Sequence, residues 1–313
     1  MTPERPRRPS RQPGGSSTPA STRAQTADVR GMEVLVTFAV LGSALLHAAW
    51  SAIAYRFRDQ ELGFAMLAWV STGCYVVVLP FVPTPAPASR PYLAASVVLH
   101  VVYVLLLIRA YRVAYFSQAY PLSRGLSPVL VATVAVVFLG ERLTPPQLVS
   151  LVLILAGLLL LAVARLGGES PNRGAIAAAA SVSVMIASYS TIDGVGVRQA
   201  GTVLGYLAWL GALHCLLTAL WLTARQRSRL GRAPRRLWLL GAAGGVMASV
   251  GYGLVVWAQA HGKLAVVAAL RETSIVFAAA IGVLLFGEAA GSRRILAAGL
   301  VVAGIAMLRF SSS

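Results

Sequence analysis

The sequence is short of charge. Only 12% of its residues are Asp, Glu, Lys or Arg, against roughly a quarter in soluble domains, and this shortage excludes an ordinary water-soluble globular protein. Lysine is nearly absent: Lys263 is the single one, and every other basic residue is arginine. Cysteine is scarce as well. Cys74 and Cys215 both fall inside apolar runs, where a thiol behaves as a small hydrophobe, so neither a disulfide framework nor a metal site is expected. No GxxxxGK[ST] phosphate loop and no glycine-rich dinucleotide fingerprint occurs, so an ATP-driven pump would need a partner subunit. His47, His100, His214 and His261 are scattered without HExxH-type spacing. No cofactor, metal or catalytic constellation is expected, and the chain does not read as an enzyme.

What is present is apolar: 57% of the chain is hydrophobic. A membrane span needs about 20 mostly apolar residues, and ten such runs can be read, near 33–55, 62–82, 92–111, 117–139, 147–166, 174–192, 202–223, 237–258, 264–287 and 293–310. Continuous runs of this length are helices rather than barrel strands. The predicted fold class is therefore all-α and polytopic. The intervening segments carry charge and helix breakers, as in "PTPAPASRP" at 82–91, "GERLTPP" at 140–146 and "RQRSRLGRAPRR" at 225–236. Residues 1–31 are rich in Pro, Ser, Thr, Gly and Arg, and are expected to be a disordered basic tail.

The net charge is +17. The arginines lie between apolar runs and in the tail, not in a stripe with aromatics, so lipid headgroups are the expected partners and nucleic acid is not. They divide between the two faces in nearly equal numbers, so the positive-inside rule selects no orientation.

Displacing the sequence by 147 positions aligns Arg124 with Arg271, Ser127 with Ser274, Val129 with Val276, Ala132 with Ala279, Val136 with Val283, Gly140 with Gly287 and Glu141 with Glu288. Ala156-Gly157 then falls on Ala303-Gly304. Weaker echoes set Trp50-Ser51 beside Tyr189-Ser190, and "MLAW" ending at Trp69 beside "YLAW" ending at Trp209. The chain thus reads as two halves, 32–166 and 167–310, of five spans each. An odd number of crossings inverts the second half relative to the first, an arrangement common in secondary transporters, which bind substrate near the midplane between the repeats.

Three stretches, "LLHAAWSAIAYR" at 45–56, "AYPLSRGLSPVLVATVAVVFLGERLTPPQLVSLVLILAGLLLL" at 119–161, and "FGE" with the following "AGL" and "AGIAML" within 286–308, resemble the EamA-type family of the drug/metabolite transporter superfamily. The resemblance covers about 33–310. It implies ten helices in two inverted EamA repeats, passage of small metabolites without ATP hydrolysis, and both termini in the cytoplasm. Ser51 departs from the pattern, since similar sequences often carry Asn after that Trp.

Several residues stand out within the spans. Arg124 and Arg271 lie at bilayer depth, where a charge costs at least about 2.5–3.5 kcal/mol and so faces a cavity or a partner. They are either a pair of substrate contacts or structural cations. Glu272 is the one carboxylate read as lying well inside a span, and either couples transport to protons or pairs with an arginine. Pro128 cannot donate to the carbonyl of Arg124, leaving either a ligand at a kink or an oxygen satisfied by a nearby serine. Tyr120, Ser127, Trp50, Tyr103, Tyr189, Tyr252 and Trp257 are further candidates for the substrate lining, with helix packing or an interfacial belt as the alternative for each aromatic. Glu141 and Glu288 are read as turn-and-cap residues, and Gly140, Gly157, Gly287 and Gly304 as points of close helix approach. Asp193, at the end of the sixth run, is read as interfacial.

These observations predict a multi-pass transporter of small metabolites in the cytoplasmic membrane of a bacterium, working by alternating access as a monomer or a homodimer. A lipid-carrier flippase of the same fold is one alternative, and a membrane-embedded transferase a more distant one.

Overall fold

The computed structural model describes residues 19–113, 124, 127–164, 173–278, 280 and 292–310. Among these there is no strand. The helices are α1 (Pro19–Tyr55), α2 (Gln60–Val78), α3 (Arg90–Val113), α4 (Ser127–Val137), α5 (Pro145–Ala164), α6 (Arg173–Arg198), α7 (Val203–Leu230), α8 (Arg235–His261), α9 (Leu264–Arg271) and α10 (Ser292–Phe310). Among the described residues six segments are long and apolar enough to cross a bilayer: Gly31–Tyr55, Gln60–Phe81, Pro87–Ala110, Ile176–Arg198, Val203–Leu230 and Arg235–His261. Ser127–Val137, Pro145–Gly157 and Ile295–Met307 are shorter apolar helices.

Three boundaries differ from expectation. The basic tail is helical from Pro19, because residues 19–30 hold good helix formers (Ala, Arg, Gln) that extend a helix already nucleated by the apolar run behind them. The arginine-rich loop at 225–236 is partly helix, since α7 continues to Leu230 with a kink at Gln226. The run 264–287 is not one helix: α9 stops at Arg271, Glu272 and Thr273 form a turn, and helix resumes over 274–278. The carbonyl of Leu270, freed by that turn, accepts from the Thr273 backbone N–H at 3.1 Å and from its hydroxyl at 2.6 Å.

Local chemistry sets the helix ends. Asp59 caps α2 by accepting from the Leu62 N–H, and Thr202 caps α7 by accepting from that of Gly205. After α4 the chain turns through Gly140, whose φ of 68° needs no Cβ, while the Glu141 N–H returns to the Ala135 carbonyl. Gly140 therefore serves the turn rather than helix contact, as a Cβ there would meet nothing within 4 Å.

The two halves are interleaved. Helix α1 packs on α8, and α3 on α6; α2 packs on α7, and α5 on α10; α2 also meets α8, and α3 meets α7. Exchanging α1 with α6, α2 with α7, α3 with α8 and α5 with α10 maps this pattern onto itself, so the described helices obey an approximate two-fold relation. The clearest mark of it is the α5–α10 crossing. A Cβ on Gly157 would sit 2.7 Å from the Ala297 carbonyl oxygen, and one on Gly304 2.8 Å from that of Ser150. Both glycines act as the sequence predicts. Gly287 lies outside the described residues.

Large apolar side chains lie on the outside, and polar and charged ones are buried within a largely apolar interior. Val77, Phe81, Val98, Leu204 and Val302 are exposed, whereas Ser43, Arg124, Asp193, Arg271 and Glu272 are buried. That pattern suits a hydrocarbon solvent.

Gly157→Val should lower stability by about 1–3 kcal/mol, the usual cost of overpacking, because backbone stands in the way. Thermal unfolding of the detergent-solubilised protein checks this, and an unchanged transition would show that the helices can separate freely at this crossing.

Candidate functional site

The site begins with one shared carboxylate. Glu272 is 2% exposed and lies in the turn after α9. Arg124, from the other half and also 2% exposed, donates from Nη1 to Glu272 Oε2 at 2.8 Å. Arg271 holds its Nε 3.7 Å from the other oxygen, Oε1. The turn lets neighbouring residues face separate partners. Arg271 occupies the C-terminal end of α9, where a cation suits the helix dipole, and Glu272 precedes the next helical segment, where an anion does.

Each arginine also reaches the helix that opens a half. Arg271 donates to the Ser190 hydroxyl at 3.1 Å and to the Tyr189 hydroxyl at 2.6 Å, both on α6, and its guanidinium lies 5.4 Å from the Tyr189 ring centroid. Arg124 meets His47 Nε2 on α1, and the indole N–H of Trp50 donates to the opposite nitrogen of that ring at 3.1 Å. Thus the weak echo between Trp50-Ser51 and Tyr189-Ser190 falls on the helices that the two arginines reach, Tyr189 and Ser190 directly and Trp50 through His47. The two pairs are not chemically equal. Ser190 is used, whereas the buried hydroxyl of Ser51 has no partner.

A cavity of about 130 Å³ opens between the halves. Helices α1, α2 and α3 wall one side; α6, α7, α8 and the end of α9 wall the other. Trp50, Tyr103, Tyr189, Tyr252 and Arg271, all anticipated as lining, stand around it. Arg271 is the one guanidinium among the described lining residues; Arg124 and Glu272 lie behind it, reached through His47 and Arg271. Trp257 is elsewhere, stacked on His261 at 4.6 Å. Ser127 is buried and donates to the Arg124 carbonyl at 3.1 Å, filling the vacancy made by Pro128. That carbonyl is therefore occupied rather than offered as a ligand. Tyr120 and Glu288 lie outside the described residues.

Glu141 caps a helix, but not the one that follows it. Its carboxylate accepts from the Leu264 and Ala265 N–H groups at 2.8 and 3.2 Å, at the start of α9 in the other half. Arg198 lies 3.6 Å from the same carboxylate.

Two carboxylates were misread or missed in the sequence. Asp193 is fully buried, not interfacial, because α6 continues to Arg198 rather than stopping near 192. Tyr206 donates to it at 3.0 Å, and Tyr252 also donates. Glu61 is buried too, and accepts from Arg112 and Gln226 at 2.8 Å and from Arg225 at 3.4 Å. His100 and His214, passed over for want of ligand spacing, both line the cavity with ring centroids 4.7 Å apart. No group of three or more His, Cys, Asp or Glu suited to a metal occurs among the described residues. Helical spacing was the available signal: Ser43, His47 and Trp50 recur at one-face intervals, as do Ser96, His100 and Tyr103, and Tyr189 with Asp193.

Interleaved apolar helices with polar residues turned inward define a multi-pass membrane protein. The model of the EamA-like transporter family matches residues 34–163 and 173–310, one match per half, and the chain belongs to that family. A solved crystal structure of a protein superposes with TM-score 0.69 over 89% of this chain and 96% of the other. The two sequences are 19% identical, so this likeness shows the fold alone. No curated protein matches the chain in sequence.

Glu272→Gln should destabilise the fold by about 3–5 kcal/mol, the cost of stranding a buried partner charge, because both arginines lose their counter-ion. Unfolding of the variant in detergent reads this directly. A loss below 1 kcal/mol would mean that solvent or lipid neutralises the arginines instead.

Proposed function

We propose that the protein is a secondary transporter of small metabolites in a cytoplasmic membrane. Ten spans in two inverted five-helix repeats would carry substrate by alternating access. The observation that carries this reading is the cavity shared by both halves, with one arginine side chain at its wall and aromatic rings around it. Rings supply apolar contact that tolerates many shapes, while a single guanidinium sets orientation toward a polar or anionic group. Binding at the seam between repeats is what rocking requires, since neither half then owns the whole site.

On the strength of their different surroundings, we give the two arginines different work. Arg124 neutralises Glu272 and holds the halves together. Arg271 is the spare cation at the cavity, because Glu272 keeps Arg124 when Arg271 is removed. Arg271→Gln should therefore fold and lose transport, whereas Arg124→Gln should impair folding itself.

The test has two stages. Metabolite profiles of deletion and overexpression cells identify substrates, and purified protein in liposomes then measures their uptake. Arg271→Gln should lower uptake about 10- to 100-fold, matching loss of a charge-assisted hydrogen bond of about 1.5–3 kcal/mol. Wild-type protein that moves no member of a broad panel would refute the transporter reading. A variant as active as the parent would refute the role of Arg271.

A further inference from the structure

The cavity wall contains a polar group that the reading above leaves unused. His100 Nδ1 lies 2.9 Å from the Ser96 carbonyl oxygen. Nδ1 also lies 3.1 Å from the Ser96 hydroxyl; with the ring hydrogen on Nδ1 and donated to the carbonyl, a neutral ring presents a lone pair at Nε2. That Nε2 is buried, has no hydrogen-bond partner, and lies 4.0 Å from Asp193 Oδ2. Two acceptors thus face one another in a dry interior, which favours a proton between them. The hydroxyls of Tyr206 and Tyr252 donate to Asp193 and hold its carboxylate in place.

The pair is continuous with the cavity. His100 lines it, with its ring centroid 4.1 Å from that of Tyr189, and Tyr189 takes the hydrogen bond from Arg271. The charged and titratable groups that face Asp193 and His100 come from every neighbouring helix. They are Tyr206 and His214 from α7, Tyr252 from α8, Arg271 from the end of α9 and Tyr189 from α6 itself; α4, also packed on α6, has no titratable residue.

Charge balance then decides what else can bind. Arg124, Arg271, Glu272 and an ionised Asp193 together carry no net charge. A monoanion arriving at Arg271 leaves one uncompensated negative charge at bilayer depth, which is costly. One proton taken up by Asp193 and His100 removes it.

We propose that Asp193 and His100 form a proton-binding site, and that its proton accompanies a monoanion with an apolar, ring-sized body held at Arg271. The inference rests on the cavity being the transport site. The cavity, at about 130 Å³, is close in volume to an apolar cavity of about 150 Å³ that admits benzene. Linkage makes the effect reciprocal: the anion strengthens proton binding, and the proton strengthens anion binding by the same factor.

Benzoate is the probe, with neutral benzamide as control, on the full chain in detergent at pH values where benzoate is ionised. Calorimetry in buffers of differing ionisation heat should show about one proton taken up per benzoate bound, and affinity rising about tenfold per pH unit lowered across the titration. Asp193→Asn should bind benzoate with no proton uptake. Infrared titration should reveal a carboxylic-acid C=O band that Asp193→Asn abolishes. Tyr252→Phe should move that band to higher pH, because the carboxylate loses a donor. Benzoate binding without proton uptake, or uptake that persists in Asp193→Asn, overturns the coupling and leaves the transporter reading intact. Absence of benzoate binding overturns the monoanion site, while the liposome panel judges transport separately.

Discussion

One carboxylate shared by two arginines from opposite halves constrains the rest of the structure. A guanidinium at bilayer depth must be neutralised or solvated, and Glu272 does this for Arg124 while remaining near Arg271. Adjacent residues on a regular helix point about 100° apart, so Arg271 could face the cavity and Glu272 face Arg124 only with the help of local geometry. The turn at Glu272–Thr273 supplies it. The broken helix, the buried pair and the cavity cation are thus consequences of the same electrostatic demand.

The approximate two-fold relation builds the scaffold, and departures from it supply the chemistry. Gly157 and Gly304 are true equivalents and make one crossing. Arg124 and Arg271 are equivalent in sequence but not in role. Gly125 stands where the second half has Glu272, and Pro128 where it has Ile275. A carboxylate in both copies would have given each arginine its own partner and left no spare cation. The single Glu272 instead leaves Arg271 half-committed, with Ser190 and Tyr189 as neutral partners.

The repeat, the apolar helices and the burial of a partnered arginine in each half were legible from the sequence because each rests on spacing or on the cost of burying charge. The partners were not. Hydropathy ends the sixth run near 192, and that truncation pushed Asp193 to the interface; in the structure α6 continues, and Tyr206 and Tyr252 close over the carboxylate. The break after Arg271 was invisible because Thr273 and Ser274 are neither Pro nor Gly, whereas Pro128 announces a break in the first half. Glu61 escaped notice because it is followed by apolar residues and its partners, Arg112, Arg225 and Gln226, lie far along the chain. Residues at helical intervals on one face, such as His47 with Trp50 and His100 with Tyr103, carry the cavity signal, but the apolar residues around the rest of each span dilute it.

Helix α9 belongs in sequence to the second half, yet the first half grips it at both ends. Glu141 holds its N-terminal amides, and Arg124 holds Glu272 at its C-terminal turn. Its packing on α4, α1 and α5 is likewise with the first half. Relative movement of the halves therefore either breaks a helix cap and a buried ion pair together, or carries α9 along with the first half. The second course is the cheaper, and flexure then falls on the segment before Leu264, where Gly262 is extended, and on the turn after Arg271. Arg271 sits at that turn, with its side chain bonded to α6 of the second half. Any displacement of α9 relative to α6 thus acts first on the hydrogen bonds that position the cavity's cation.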